Sequence, residues 1–277
     1  MIKFTFLSEN KTDDPACDAE FGLSVYIETP AMNILFDTGA SDLFEKNARR
    51  KHVDLEDVDA CVISHGHYDH TGGVPRFTVL NDKAQVYIHK NAFRETYGTT
   101  RGKMDKHPCS ILWTEEEKEH VRTRLTLTDG PCWLTDDIVV SGTIPDVPGS
   151  APTEKFYIKD IDGVLNPDPM DHEQFLAIRN GSEGVFVFSG CSHKGVIAAL
   201  DYAKKLFPGE RIAGLIAGMH LFGATDEVRR EVVDKVMAED PDMVAPVHCT
   251  GIDAIIMLKE RLGDRCIVPS AGSSYEY

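Results

Sequence analysis

Short apolar runs alternate with turn-forming residues through the first third of the chain. Runs rich in β-branched and aromatic residues, separated by Gly, Pro, Asn and Asp, are typical of strands joined by turns. The pattern predicts strands at Ile2–Leu7, Leu23–Glu28, Asn33–Phe36, Ala60–Ser64 and Gln85–His89. It also predicts a helix from Ser41 toward Lys51, because the Ser41 hydroxyl can cap free amides and the acidic residues after it suit the positive helix end.

From Gly184 onward the chain changes to a strand–helix rhythm. Strands are predicted at Gly184–Ser189, Ile212–Ala217 and Met243–Val247, and helices at Lys194–Leu206, Asp226–Glu239 and Ile252–Leu262. This order predicts parallel strands with right-handed crossovers. Residues 91–169 are less regular and contain both tryptophans, Trp113 and Trp133. We predict one domain over residues 1–277, with residues 91–169 as an insertion or lid whose tryptophans could form an aromatic wall or pack a small core of their own.

Composition narrows the classes of function. The 277 residues contain 29 Lys and Arg against 45 Asp and Glu, and the formal net charge of −16 would repel a phosphate backbone. No apolar run approaches the roughly 20 residues that a membrane helix needs, and the first ten residues lack the features of a signal peptide. We therefore expect a cytoplasmic protein that acts on a small molecule, without nucleic-acid or membrane partners, and the sequence leaves its oligomeric state open. The seven cysteines form no Cys-x-x-Cys pair, so thiol chemistry would depend on single residues.

The candidate chemistry is concentrated directly after the predicted strand Ala60–Ser64. The segment Ser64-His-Gly-His-Tyr-Asp-His-Thr-Gly-Gly73 places His65, His67, Asp69 and His70 within six positions. His65 and His67, two residues apart, can bind one ion, whereas Asp69 and His70 project differently and can hold a second. The spacing predicts a dinuclear metal site.

This His-x-His-x-Asp-His-Thr-Gly-Gly segment resembles the signature of the metallo-β-lactamase fold superfamily. Leu35-Phe-Asp-Thr-Gly39 resembles an earlier strand-end aspartate pattern of the superfamily, and Ala245-Pro-Val-His248 resembles its closing strand-end histidine. The resemblance implies an α/β fold of the αββα type, in which two mixed β-sheets pack face to face between helices. It implies His248 as a ligand. Asp37 is either a carboxylate that supports the ligands or the cap of the turn before Ser41.

The resemblance also implies a third histidine at the first ion and an acidic residue that bridges both ions. His172, just before an apolar run, matches the histidine. The superfamily usually has Gly-Asp at the bridging position, but this chain has Gly190-Cys-Ser-His193. Either the Cys191 thiolate or His193 could replace the aspartate, and a thiolate would favour zinc over harder cations.

Three further segments resemble one branch of the superfamily, the dihydropterin ribofuranosylaminobenzene phosphate synthase-like proteins. They are Gly190-Cys-Ser-His-Lys-Gly195, Ala217-Gly-Met-His-Leu221 and Val247-His-Cys-Thr-Gly251. His193 and His220 both follow apolar strands directed at the same sheet edge as His248. We expect them to be ligands or substrate contacts rather than histidines of the core.

Two classes of function are compatible with these residues. The first is a metal-dependent hydrolase or transferase that acts on a small anionic or phosphorylated substrate, with pterin-related compounds as one candidate. Two divalent ions, expected to be zinc with iron or manganese as alternatives, would lower the pKa of a bound water to about 7. Asp69 would orient that water, and His193 or His220 would protonate the leaving group. The second is a metal-binding or ligand-sensing module without turnover.

Overall fold

The computed structural model describes residues 1–100, 103–152 and 154–277. The strands are β1 Lys3–Ser8, β2 Ser24–Glu28, β3 Asn33–Phe36, β4 Ala60–Val62, β5 Gln85–His89, β6 Thr96–Tyr97, β7 Thr99–Thr100, β8 Lys103–Met104, β9 Leu125–Thr128, β10 Cys132–Thr135, β11 Ile138–Val140, β12 Tyr157–Lys159, β13 Leu165–Pro167, β14 Phe175–Arg179, β15 Val185–Ser189, β16 Ile212–Ala217, β17 Met243–Pro246 and β18 Ser274–Glu276. The helices are α1 Leu43–Arg50, α2 Tyr68–Thr71, α3 Val74–Leu80, α4 Glu115–Arg122, α5 Val196–Leu206, α6 Asp226–Ala238 and α7 Ile252–Leu262.

Two mixed sheets form the centre of the molecule. In the described part of the chain, the first sheet has the order β18-β1-β2-β3-β4-β5-β9 and the second has the order β10-β11-β14-β15-β16-β17. Strands β3, β4, β5 and β9 run parallel, as do β15, β16 and β17, and the other neighbours within these two sheets are antiparallel. The parallel strands therefore end at one edge of each sheet, where the loops that follow them can meet.

Apolar side chains fill three layers of the fold. Phe4, Phe36 and Val62 of the first sheet pack with Phe188 and Ile216 of the second, and this cluster holds the two sheets face to face. A second cluster packs the outer face of the second sheet against α5, α6 and α7, and a third packs the outer face of the first sheet against α1 and α3. The result is the αββα sandwich that the sequence predicts.

Most predicted elements are confirmed, with ends shifted by one or two residues. Helix α1 begins at Leu43, and the Ser41 hydroxyl accepts a hydrogen bond from the Leu43 amide at 3.2 Å. The predicted strand after the first helix ends at Val62 rather than Ser64, because the chain turns there into the histidine-rich segment. The predicted parallel pairing of β15, β16 and β17 is confirmed.

The segment 91–169, predicted as an insertion or lid, contributes strands to both main sheets. Strand β9 extends the first sheet beside β5, and β10 and β11 extend the second sheet beside β14. The short strands β6, β12 and β13 form a small separate sheet. Trp113 and α4 also pack on the outer face of the first sheet, so much of this segment belongs to the sandwich.

Among the described residues, every helix is too short or too polar to cross a membrane.

Candidate metal centre

The histidine-rich segment lies at the end of β4, between the two sheets. His65 follows the strand directly, His67 stands at the start of α2, and Asp69 and His70 lie within this four-residue helix. All four side chains are buried, although aspartate is rarely buried without a partner and histidine is often partly exposed. Buried polar clusters of this kind require partners, and the surrounding residues supply only part of them.

The Asp37 carboxylate contacts two residues of this segment, Ser64 and His70. Its Oδ1 accepts a hydrogen bond from the Ser64 amide at 2.7 Å, and its Oδ2 accepts one from the Ser64 hydroxyl at 2.7 Å. The same Oδ2 lies 2.6 Å from Nδ1 of His70. Asp37 therefore orients the His70 ring and does not cap the turn before Ser41, which was the other role predicted for it.

The second sheet provides residues from three successive strand ends. Cys191 follows β15, His220 follows β16 and His248 follows β17, and all three are buried. Asp37, His220 and His248 have φ of 55°, 49° and 49°, in the left-handed region that non-glycine residues rarely adopt. Such strain commonly accompanies functional sites, and here it occurs in the turns that leave the strands.

The two sets of loops bring donor atoms together. In each of the following groups, one possible donor atom per residue lies within 4.8 Å of the others: Asp69, His70 and His248; His65, His67 and His193; His65, His70 and Cys191; Cys191, His193 and His220; Cys191, His248 and Cys249. Nε2 of His70 is 3.2 Å from the Cys191 sulfur. Cys191 belongs to three of the groups, and Cys191, His193 and His248 each join the loops of the second sheet to the histidine-rich segment.

His172 lies near the first group but is not gathered into it. Its ring centroid is 6.2 Å from that of His65 and 5.8 Å from that of His67. The Gly66 amide donates to Nδ1 of His172 at 3.1 Å, and Nε2 lies 3.6 Å from Oδ2 of Asp168. The structure thus places His193, rather than His172, beside both His65 and His67.

Two buried glutamates and one asparagine fix the loops of the second sheet. Asn10 Oδ1 lies 2.8 Å from Nδ1 of His248, and a carboxylate oxygen of Glu9 accepts from the His248 amide. Glu173 accepts from the amides of His193 at 2.6 Å and Lys194 at 2.7 Å. These contacts join the start of the chain and the loop before β14 to the ligand-bearing loops.

The unpartnered nitrogens of the cleft fit a metal. Nε2 of His65, His67, His172, His193 and His248 is buried and makes no hydrogen bond within the described residues. A buried polar atom without a partner costs about 1–3 kcal/mol, so several such atoms converging in one place indicate an occupant that binds them. On two of these rings, the other nitrogen lies within hydrogen-bond distance of an oxygen: Ser64 Oγ for His65 and Asn10 Oδ1 for His248. This arrangement is usual for metal-binding histidines.

The pKa shifts distinguish histidines that are neutral at pH 7 from groups that are charged. Burial lowers the pKa of His67 to about 3 and those of His65 and His193 well below the usual value. These imidazoles are therefore neutral at pH 7, as metal ligation requires. Burial also opposes charge on His70, but Asp37 and Asp69 outweigh it and raise the pKa of His70 to about 9. Burial would raise the pKa of Asp69, yet His70 and His248 overcome it and keep the carboxylate ionised.

Known proteins are similar to this chain in sequence and in fold. The sequence profile of the metallo-β-lactamase superfamily matches residues 17–149. An uncharacterized protein of Methanocaldococcus jannaschii is 32% identical over 246 residues, which cover 87% of this chain and 88% of that protein. The chain belongs to the metallo-β-lactamase superfamily.

Two further relatives indicate the range of activities near this member of the superfamily. The 7,8-dihydropterin-6-methyl-4-(β-D-ribofuranosyl)-aminobenzene-5′-phosphate synthase of Methanocaldococcus jannaschii is 27% identical over 254 residues, covering 87% of this chain and 85% of that enzyme. The crystal structure of Tm1679, a metal-dependent hydrolase of the β-lactamase superfamily, is 27% identical and superposes with a TM-score of 0.84, covering 100% of this chain and 99% of that one.

A cavity of about 330 Å³ opens beside the superfamily cleft. Its lining includes His193 and Lys194 from the second sheet, Phe156 and Tyr157 from the segment predicted as a lid, and Met170 directly after that segment. The Phe156 ring packs against His67, His193 and His220, with centroids 4.9, 4.7 and 5.6 Å away. Phe156 therefore forms the wall between the cavity and the histidines.

The tryptophans do not form this wall. Trp113 is buried against the outer face of the first sheet and donates through Nε1 to the Thr71 carbonyl at 2.8 Å. Trp133 is largely exposed and contacts Phe207 edge to face at 5.2 Å. The predicted aromatic wall is thus supplied by a phenylalanine instead.

Several residues of the centre are not predicted from the sequence. They are Glu9, Asn10, Ser64, Glu154, Phe156, Asp168, Glu173 and Cys249. Three of them carry a signal in the sequence, since Ser64 precedes His65, Glu173 follows His172 and Cys249 follows His248. The others come from distant segments with no distinctive spacing.

Proposed function

We propose that this protein is a metal-dependent hydrolase or transferase with a two-ion centre, and that its substrate is a small anionic or phosphorylated molecule. The observation that carries the proposal is the set of buried imidazole nitrogens without hydrogen-bond partners, together with Asp69, at the meeting point of the two sheets. The similarity to a metal-dependent hydrolase over the whole chain supports the same conclusion.

The candidate ligands would form two sets, one for each ion. His65 and His67 would hold the first ion, with His172 as the third donor by analogy with the superfamily and His193 within reach. Asp69, His70 and His248 would hold the second, with Cys191 beside them, and the ion would displace the proton that Asp37 and Asp69 favour on His70. When bound, the ions would polarise a substrate oxygen and make water more acidic. One sulfur among imidazole and carboxylate donors favours zinc, with iron as a weaker alternative and manganese weaker still.

Side chains of this protein would position the substrate and move protons. Asp69 stays ionised and can accept a hydrogen bond from the attacking water. His193 borders both the histidine cluster and the cavity, and its buried Nε2 is the atom placed to exchange a proton with a leaving group. Phe156 covers the histidines, and excluding water in this way strengthens electrostatic interactions in the cleft.

The cavity restricts the substrate to a small molecule. A volume of about 330 Å³ lies at the lower end of the range for ligand sites. The relative that acts in dihydropterin chemistry makes a pterin-linked phosphate a reasonable candidate, and the flat face of Phe156 could contact such a ring. We also propose a cytoplasmic location, because the reducing cytosol would keep the buried thiols of Cys191 and Cys249 free.

Removal and return of metal tests the function. The purified protein would be stripped with a chelator, reconstituted with zinc, and assayed on a panel of phosphate monoesters, phosphodiesters, lactones and pterin phosphates. We expect activity on one class that is lost with the metal and regained with zinc. A protein that binds zinc at the cleft but converts no member of the panel would favour the ligand-sensing alternative.

A further inference from the structure

Lys194 brings a positive charge to the lining of the cavity beside the cleft. We propose that the ammonium group of Lys194 binds a phosphate group of the substrate, and that this phosphate takes the place of the Asp146 carboxylate. The inference rests on the proposed function, because it treats the cavity as the substrate site. It goes further by naming the residue that selects a phosphorylated substrate.

The Lys194 side chain is buried, which is rare for lysine. Only 7% of its side-chain surface is exposed, yet Lys194 lines the cavity of about 330 Å³. Its Nζ donates to the Asp146 carboxylate and to the Pro169 carbonyl, the latter at 3.2 Å. A buried ammonium group is stable only when an anion or hydrogen-bond acceptors stay beside it. A ligand that enters the cavity and displaces Asp146 must therefore bring a negative charge.

Asp146 is a partner that can be replaced. Its side chain is 88% exposed, so water can solvate the carboxylate when it leaves Lys194. An ion pair with a highly exposed partner contributes little to stability. A phosphate dianion carries more charge and more acceptor oxygens than a carboxylate, so it can compete with Asp146 for the ammonium group.

The other charged residues of the cavity lining allow an anion to bind. Oδ2 of Asp168 lies 3.6 Å from Nε2 of His172, and the Glu154 carboxylate contacts Nε2 of His220. These two carboxylates thus have partners of their own. Lys155 is exposed and lines the same cavity, so it adds a second positive charge. The two lysines together match the two negative charges of a phosphate monoester.

Backbone contacts hold Lys194 beside the cleft. Its amide donates to Glu173 at 2.7 Å, and its carbonyl accepts from the Ser150 hydroxyl at 2.8 Å. The preceding residue, His193, lines the same cavity and has a ring nitrogen near those of the histidine cluster. One loop therefore presents an anion-binding group and the proposed proton-exchanging group on adjacent residues.

Phosphate titrations test the site. Calorimetry measures the affinity of the full-length, cobalt-loaded protein for inorganic phosphate, and the visible cobalt bands report phosphate that binds an ion instead. We expect Lys194→Gln to weaken phosphate binding roughly tenfold, because a charge-assisted hydrogen bond is lost. Asp146→Asn should strengthen it about threefold, because the competing carboxylate is gone. Lys83→Gln removes an exposed lysine that pairs with Asp59 outside the cavity, and it should bind phosphate like the wild type.

The outcomes separate this inference from the proposed function. Equal affinities in the wild type and Lys194→Gln, with cobalt bands that shift as phosphate binds, would place the anion on the ions. That result would overturn the Lys194 site and leave the two-ion hydrolase or transferase standing. Phosphate binding that needs Lys194, in a protein that converts no member of the substrate panel, would retain the site and overturn the proposed activity.

Two further measurements keep the inference falsifiable. If Lys194→Gln does not fold, Asp146→Asn decides, since an unchanged phosphate affinity in this exposed variant refutes the displacement. Acetate is titrated in the same way and is expected to bind much more weakly than phosphate. Acetate that binds as tightly, with the same dependence on Lys194, would make this a carboxylate site and refute the phosphate assignment.

Discussion

Oδ2 of Asp37 lies 2.6 Å from Nδ1 of His70, and both side chains are completely buried. This contact directs the opposite nitrogen of His70 toward the Cys191 sulfur, 3.2 Å away. Asp37 follows β3 and Cys191 follows β15, so the His70 ring connects an end of the first sheet to an end of the second. The orientation of one ligand is therefore decided by a residue that is not itself gathered with the donors.

We expect Asp37→Asn to weaken metal binding by about 10–100-fold, because an amide cannot accept from both Ser64 and His70 as the carboxylate does. A competition titration with a coloured chelator measures the affinity. Asp82→Asn, at an exposed position, is the matched control and should bind metal like the wild type. Equal affinities in the two variants would show that Asp37 does not support the site.

His67→Ala should lower the metal content by about one equivalent and abolish activity, since two histidines of the first ion act together. Elemental analysis measures the metal content, and the zinc-dependent assay measures the activity. His120→Ala changes an exposed histidine on α4 and should alter neither. A full metal complement in His67→Ala would remove this residue from the centre.

Cys191→Asp introduces the residue that the superfamily usually has after the glycine that follows β15, here Gly190. We expect the variant to retain the ions of the two-ion centre and to bind manganese better relative to zinc, because carboxylate oxygen suits harder cations than thiolate does. Metal competition measures the preference, and the near-ultraviolet sulfur-to-cobalt band of the cobalt-loaded protein should disappear. A band that persists at full strength would assign the thiolate to Cys249 instead.

Phe156→Ala should raise KM more than it lowers kcat and leave the metal content unchanged, since the ring contacts the ligands from the cavity side. Steady-state kinetics on the substrate identified by the panel gives both constants. Phe93→Ala removes a half-exposed ring that contacts Trp113, and it should leave KM as it is. Loss of metal in Phe156→Ala would mean that the ring stabilises the centre rather than the substrate.

The contribution of Glu45 to the free energy of unfolding should depend on pH. Hydrogen bonds from Arg76 at 2.6 and 2.9 Å lower the pKa of Glu45 below its ordinary value of 4.5. The folded state therefore gains stability above pH 4.5 and loses that gain as the pH falls through the lowered pKa. Urea unfolding of Glu45→Gln should show a deficit at pH 7 that shrinks below pH 4.5. A deficit that stays constant with pH would assign the effect to packing.

The contiguous part of the centre could be predicted because its chemistry is local. His65, His67, Asp69 and His70 occupy six positions at the end of an apolar run, and the strand–helix rhythm of the last third predicts which loops approach them. His193 and His220 are predicted from strand ends, and Cys191 and His248 are implied by the resemblance to the superfamily; the structure gathers all four at one edge.

The rest depends on contacts between distant parts of the chain. Asn10 and His248 are 238 positions apart, and Glu173 binds amides about 20 positions later. No spacing in the sequence links such pairs, since each depends on how the sheets stack. The sequence does not predict the strands of segment 91–169, because β9 and β10 are only partly apolar and β11 has only three residues, although these strands extend both sheets.

Glu9 and Asn10, which follow β1, hold His248 near the other end of the chain. During synthesis the four donors of residues 65–70 leave the ribosome long before their partners do. A nascent chain therefore exposes an incomplete chelating segment for most of its translation, and the full pocket assembles only after β17 has joined its sheet. Metal bound early would be held by few ligands and would exchange readily. Stable metal binding therefore requires the finished polypeptide.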